Sequence, residues 1–253
     1  MKLAQLTLPI YLLTTLQNAP VWNISRVSFG KDNRNHNVLN NDTLAVFYPS
    51  GSYTPSIKPQ GGIGFFASPN EMLPAESITL QYQVQFDDTF DPVLGGKLPG
   101  LFISKGKEFK ASSGGKHDDN SASVRIAWRK NFDAELYVYL PSNQDPAYDG
   151  IDSVFKNKKF GDSLWRGDFK LYKSVWNNIS ISVKLNDVNK KNGLVNVTIN
   201  GINRNFDKIC WRQNKSSKIS AVFFQTFFGG STAEYATPHD TWSYFRNITL
   251  SKT

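Results

Sequence analysis

The chain has one cysteine, Cys210, so no intrachain disulfide can form and the fold must be held by its core. Flanked by Ile209 and Trp211, that thiol is expected to be a small packing residue rather than a nucleophile. No apolar run is long enough to span a bilayer, which excludes a helical membrane protein. The opening stretch from Leu6 to Leu13 is broken by Thr7 and Pro9 and makes a poor signal peptide. It is read as a first structural segment in an N-terminal extension over residues 1–25. Without a convincing leader, the sequence leaves location open. There is no internal repeat, no heptad pattern and no long amphipathic helix. The histidines, His36, His117 and His239, are scattered without ligand spacing. HExxH, zinc-type cysteine clusters, EF-hand loops and phosphate-binding glycine loops are all missing. No metal and no cofactor is therefore expected, and His117-Asp118-Asp119 reads as a solvated loop.

What the sequence has is a basic, aromatic-rich chain of 253 residues with formal net charge +8 and 13% aromatic residues. That length suits a single domain over residues 1–253, taken here as a monomer. Phe and Tyr favour half-buried pleated surfaces. The positive excess favours acidic partners: nucleic acid, an anionic membrane or an acidic polysaccharide.

Short alternating segments punctuated by Gly, Pro, Asn and Asp predict an all-β sandwich or jelly roll of antiparallel sheets. Leu80, Tyr82, Val84 and Phe86 share one face, leaving Gln81, Gln83 and Gln85 on the other. Val124, Ile126 and Trp128 face a core, opposite Ser123, Arg125, Ala127 and Arg129. Leu136, Val138 and Leu140 point in, opposite Tyr137 and Tyr139. Segments 179–185 and 195–199 alternate likewise, and 222–228 reads as a central strand with Gln225 free to face a cleft. Asn192-Gly193 and Asn200-Gly201 are hairpin-turn signals, residues 130–134 suit a hairpin, and residues 95–101 suit a rigid bend presenting Lys97. The loops 105–120 and 141–163 are long for connections, as functional or mobile loops are.

Glycoside hydrolysis needs two carboxyl groups astride the bond, and none of the faces phased above carries Asp or Glu. Arg, Ser, Gln and Tyr suit another reaction. In a 1,4-linked polyuronate the C5 proton becomes removable once the C6 carboxylate is neutralised and the enolate-like charge is stabilised. Arg and Lys can do the first job. Tyr can act as base or acid if nearby cations lower its pKa. An ordinary exposed sheet face remains an alternative on alternation alone.

Three motifs, Gly95-Gly96-Lys97-Leu98-Pro99-Gly100-Leu101, residues 123–129 and residues 135–141, together resemble the family 14 polysaccharide lyases. So do residues 161–167 with Trp176, and residues 223–231. The resemblance covers about residues 40–250, in order. It implies a β-jelly roll with a concave cleft, metal-independent β-elimination, and Lys97, Ser123, Arg125, Tyr137 and Tyr139 as catalytic residues. Gln83, Gln85, Gln225 and His117 are added as substrate-binding candidates. Molluscan and fungal members often carry cysteines near the 105–120 loop. This chain instead has Lys105, Lys107, Lys110 and Lys116 there, and so is more similar to the chlorella-virus branch and its glucuronate-containing algal wall polymer than to alginate lyases. The expected partner is an acidic polysaccharide, with no nucleic acid and no membrane. The competing reading is a non-catalytic carbohydrate-binding module on the same fold. A nucleic-acid-binding β protein should interleave aromatic and basic residues in a known motif, and none is found.

Overall fold

The computed structural model describes residues 4–252 apart from Thr15, Gln17, Asn18 and Asn33. Met1 and Lys2, at the head of the weak leader pattern, lie outside the described residues. In chain order the first strands are β1 (Gln5–Thr7), β2 (Ile24–Phe29), β3 (His36–Leu39), β4 (Thr43–Tyr48) and β5 (Ile63–Ala67). Then come β6 (Ser77–Phe86), β7 (Gly95–Lys105), β8 (Ala122–Arg129), β9 (Asp133–Tyr139) and β10 (Asp162–Lys170). The last are β11 (Asn177–Lys184), β12 (Gly193–Ile199), β13 (Ile202–Ile209), β14 (Ser217–Phe228) and β15 (Thr241–Ser251).

They form two antiparallel sheets packed as a β-jelly roll. One runs β13-β12-β11-β6-β15-β4-β3, with β1 also paired to β15. The other runs β10-β9-β8-β7-β14-β5-β2 and carries the cleft. Their inner faces share one apolar core, to which β6 gives Leu80, Tyr82, Val84 and Phe86 and β8 gives Val124, Ile126 and Trp128. Side chains two apart on a strand share a face, so burying these residues turns their alternates outward. Phe65 of β5 and Phe224 of β14 stack with ring centroids 4.8 Å apart in that core. The N-terminal stretch belongs to the same body: β1 pairs with β15, and Trp22 is fully buried against Phe65.

The turn signals fare unevenly. Asn200 and Gly201 both have positive φ (49° and 85°) and close the β12–β13 hairpin. Asn192-Gly193 does not form its turn: Gly193 already opens β12, and the reversal after β11 runs through residues 185–192. Residues 95–101 are no bend either. They lie within β7, which a register shift between Leu98 and Gly100 adapts to β8. Gly100 is required there, since a Cβ would come 1.9 Å from the Val124 carbonyl oxygen. Residues 130–132 form a tight turn, with φ of 60° at Asn131 and 61° at Phe132, that returns β8 into β9.

Candidate active site

The outer face of β7, β8 and β9 is ordered by strand register. Lys97 lies across from Ala127, and Ala127 across from Glu135. The next row pairs Arg125 with Tyr137, and the next pairs Ser123 with Tyr139. On β10, Ser163 stands opposite Tyr137. Small Ala127 leaves the long side chains room to converge, and the Lys97 ammonium nitrogen lies 4.1 Å from the centre of the Tyr137 ring. Arg125 lies 4.6 Å from the centre of the Phe223 ring and donates from Nη1 to Gln225 Oε1 at 2.8 Å.

These groups floor a cleft of about 1050 Å³, which Lys97, Arg125, Tyr137, Tyr139 and Gln225 all line. Every charged residue on its wall is Lys or Arg, including Arg26 and Lys110 towards one end and Arg129 and Arg166 towards the other. Among the described residues no Asp or Glu lines it, so they place no carboxylate pair of a glycoside hydrolase on this wall.

Two loops form the sides. Phe109 inserts into an aromatic cluster with Phe66, Phe102 and Phe223, stacking on Phe66 at 4.2 Å, and so pins the 106–121 segment onto the sheet. Such ring pairs contribute about 0.5–1.5 kcal/mol beyond their buried area. From the same loop the Gly115 amide donates to the Tyr139 hydroxyl at 2.9 Å. From the opposite loop the Gly161 amide donates to the Tyr137 hydroxyl at 3.0 Å. Each phenol oxygen therefore accepts from backbone, and the neighbouring Tyr139 phenol helps to keep Tyr137 protonated.

The expected site residues separate into three groups. Lys97, Arg125, Tyr137, Tyr139 and Gln225 are brought together. Ser123 shares their face, but the 106–121 segment covers it completely and its hydroxyl donates to the Ser112 carbonyl at 2.6 Å. That bond ties the loop to the sheet, and the Ser123 side chain has no exposed surface. His117 is exposed beside Lys116, its ring 5.0 Å from that of Tyr139. Gln83 and Gln85 belong to neither group. They lie on β6 in the opposite sheet, with Gln83 bonded to Asn178 and Arg246, and Gln85 to the Ser174 carbonyl. Placing them in the cleft is corrected. Alternation put them on a solvent-side face but could not say which sheet that face belonged to.

A second correction concerns carboxylates. β9 begins at Asp133, three residues before the segment phased from sequence, and this puts Glu135 on the same face as Tyr137 and Tyr139. Glu135 is fully buried beneath the cleft wall. It pairs with Arg129 at Oε1, accepts from the Ser163 hydroxyl at 2.8 Å and lies 3.6 Å from Arg166 Nε. Arg166 gives no periodic signal in the sequence, because β10 is irregular between Leu164 and Phe169. Trp165 takes a positive φ of 54° there, a conformation costing a non-glycine residue roughly 1–3 kcal/mol.

The electrostatics also reverse an expectation. Lys97 was to remain a cation and pull the tyrosines down. Burial holds its pKa well below the ordinary lysine range, and the Arg129 and Arg125 charges push it further that way against the opposing pull of Glu135. Burial likewise raises Tyr137 far above the usual tyrosine value, and the lowering effect of Arg125 does not compensate. Both directions favour the uncharged form of each group, the free amine of Lys97 and the protonated phenol of Tyr137.

The profile of the polysaccharide lyase 14 family matches residues 36–248. The marine PL-14 alginate lyase of Aplysia kurodai is a similar solved structure, with 30% identity, a TM-score of 0.87 and all of both chains covered. Alginate lyase vAL-1 from Chlorella virus is 29% identical with a TM-score of 0.82, covering 98% of this chain and 99% of that one. Exolysin of Paramecium bursaria Chlorella virus 1 is 27% identical over 195 residues, which are 70% of this chain but only 30% of that protein. The chain thus spans under a third of that curated relative's length. The matched span runs from β3 into β15 and takes in β7, β8, β9 and β14, which supply Lys97, Arg125, Tyr137, Tyr139 and Gln225, and the chain belongs to the polysaccharide lyase 14 family.

Proposed function

We propose that this chain cleaves a 1,4-linked polyuronate by β-elimination, with Lys97 as the base and Tyr137 as the acid. The observation that carries the assignment is the buried pair itself: the Lys97 nitrogen 4.1 Å from the Tyr137 ring, in a cleft whose charged wall residues are all cationic.

Arg125 takes the C6 carboxylate of the reacting sugar. Its Nε is buried with no partner, and a guanidinium offers five donors. Gln225, whose oxygen holds Arg125, turns its amide hydrogens to the same carboxylate. Neutralising that charge makes the C5 proton acidic enough for neutral Lys97 to remove. The C5–H electron pair becomes the C4=C5 bond, the C4–O4 bond breaks, and the departing O4 takes the Tyr137 hydroxyl proton. The amide of Gly161 is then placed to stabilise the phenolate left behind. Tyr139, set in the same way by Gly115, orients the sugar from the adjoining row.

The test is ultraviolet absorbance. Elimination leaves a C4=C5 double bond conjugated to the carboxylate, which neither hydrolysis nor binding creates. Polymannuronate, polyguluronate and polyglucuronate are assayed side by side, since both full-length structural relatives are described as alginate lyases while the sequence leans towards glucuronate. A new chromophore on at least one polymer is expected. Tight binding with no chromophore on any would leave the carbohydrate-binding module as the function.

A further inference from the structure

Beyond the residues at the reacting sugar, one arrangement in the cleft has no role in elimination. Arg129 at the end of β8 and Arg166 in β10 both reach the wall, and both converge on buried Glu135. We infer that Arg129 and Arg166 form a second carboxylate-binding subsite, braced from behind by Glu135 and Ser163, that holds the uronate joined to the reacting sugar on the side away from the bond that breaks. The inference rests on the polyuronate reading and extends it to chain-length specificity.

Three observations support it. The first is charge. One carboxylate needs one guanidinium, yet two arginines share Glu135, so the cluster faces the cleft with a positive surplus. The second is unused bonding capacity. Arg129 makes its bonds to Glu135 and to Ser163 from the same nitrogen, Nη2, and its Nη1 makes none to the described residues, while its Nε and the Oε2 of Glu135 are both buried without a hydrogen-bond partner. A guanidinium offers five donors, so Arg129 keeps capacity for a carboxylate at the cleft wall after its bonds to Glu135 and Ser163 are made.

The third is the backbone. Ser163 lies on the cleft wall and Leu164 in the core, so a regular strand would turn Trp165 to the cleft and Arg166 to the core. The irregularity at Trp165 reverses this. Trp165 packs in the core, and Arg166 reaches the cleft with its guanidinium 4.9 Å from the Phe155 ring centre. Bulges near active sites often re-aim one side chain, and the one re-aimed here is a cation. Glu135 also stands two residues along β9 from Tyr137, roughly 7 Å by strand rise. The arginines braced by Glu135 are thus set along the cleft from the row of Arg125 and Tyr137.

Arg166 is the residue to vary, because it is the half-exposed member of the cluster and its loss leaves Glu135 paired with Arg129. Oligouronates of graded length are assayed with wild type, Arg166→Ala and Arg166→Lys. Arg166→Ala should lose roughly tenfold in kcat/KM, the scale of one charge-assisted contact, on oligomers long enough to fill the subsite. On the shortest oligomer that is cleaved it should match wild type, and Arg166→Lys should recover part of the loss. A loss equal at all lengths, or no loss at any, would overturn the subsite. Wild type that forms no chromophore on any polymer would instead defeat the lyase reading. Calorimetric binding of the same oligomers then tests the subsite, and equal affinity of wild type and Arg166→Ala at every length would overturn it.

Discussion

The outward face of β8 and β9 and the outward face of β6 have the same period-two pattern, polar residues alternating with core residues, yet they differ in how their polar groups are satisfied. On β6, Gln83 and Gln85 find partners among Asn178, Arg246 and the Ser174 carbonyl on an open sheet surface. On β8 and β9, two loops cover the face, and Arg125 and Glu135 are buried while the Nε atoms of Arg125 and Arg129 lack partners. Burying charge without full pairing is expensive, and a sheet selected for stability alone would not do it. The difference teaches that alternation marks where polar side chains stand, whereas incomplete satisfaction under cover marks where a ligand is expected.

The hardest way to break this comparison is to remove the two groups that meet in the covered face. Lys97→Ala and Tyr137→Phe should each cut kcat by about 10²–10⁴, the range for a positioned acid or base. Tyr137→Phe keeps the ring that Lys97 packs on, so its circular dichroism should stay close to wild type, while the lost acceptor for the Gly161 amide should lower its unfolding midpoint by the equivalent of about 1–3 kcal/mol. Near-normal turnover in either variant on the best polymer would remove that residue from proton transfer.

A subtler effect is the pH dependence. A base must be deprotonated, so kcat/KM should rise with pH through a Lys97 ionisation lying well below the ordinary lysine range. An acid must keep its proton. Because Tyr137 is raised, the falling limb should come only beyond the usual tyrosine range. Bound substrate adds a carboxylate near Lys97, which favours the ammonium. The rising limb of kcat should therefore lie at higher pH than that of kcat/KM, since the two report the complex and the free enzyme. If both rising limbs fall at an ordinary lysine pKa, or if activity falls as pH rises through neutrality, the assignment of Lys97 as base is wrong.

The sequence made the strands and the central residues legible, because burial on one face enforces strict alternation at Val124, Ile126 and Trp128, and at Leu136 and Val138. Where a residue's position depends on something other than alternation, the reading failed. Lys97 lay in a glycine- and proline-rich stretch that resembled a turn but is a strand with a register shift. Glu135 was missed by starting its strand too late. Arg166 is turned by a positive φ at Trp165, which has no local signature. Ser123 is on the right face but beneath a loop whose docking depends on Phe109 meeting Phe66, a contact between residues far apart in the chain.

The smallest expected effect sharpens the comparison from its other side. Gln85 was a substrate-binding candidate on pattern alone, and its side chain makes one bond, donating to the Ser174 carbonyl at 2.9 Å on the surface of the opposite sheet. Water can replace that partner once the amide is gone, so Gln85→Ala should shift stability by no more than about 0.5 kcal/mol, as surface substitutions usually do. Neither kcat nor KM should change on polymer or oligomer, because no route connects this face to the cleft except through the close-packed core between the sheets. Measured beside Arg166→Ala, this variant sets two polar outward-facing residues of similar size against each other. A rise in KM with Gln85→Ala would show that the polysaccharide also contacts the open sheet, and the contrast between the two faces would have to be abandoned.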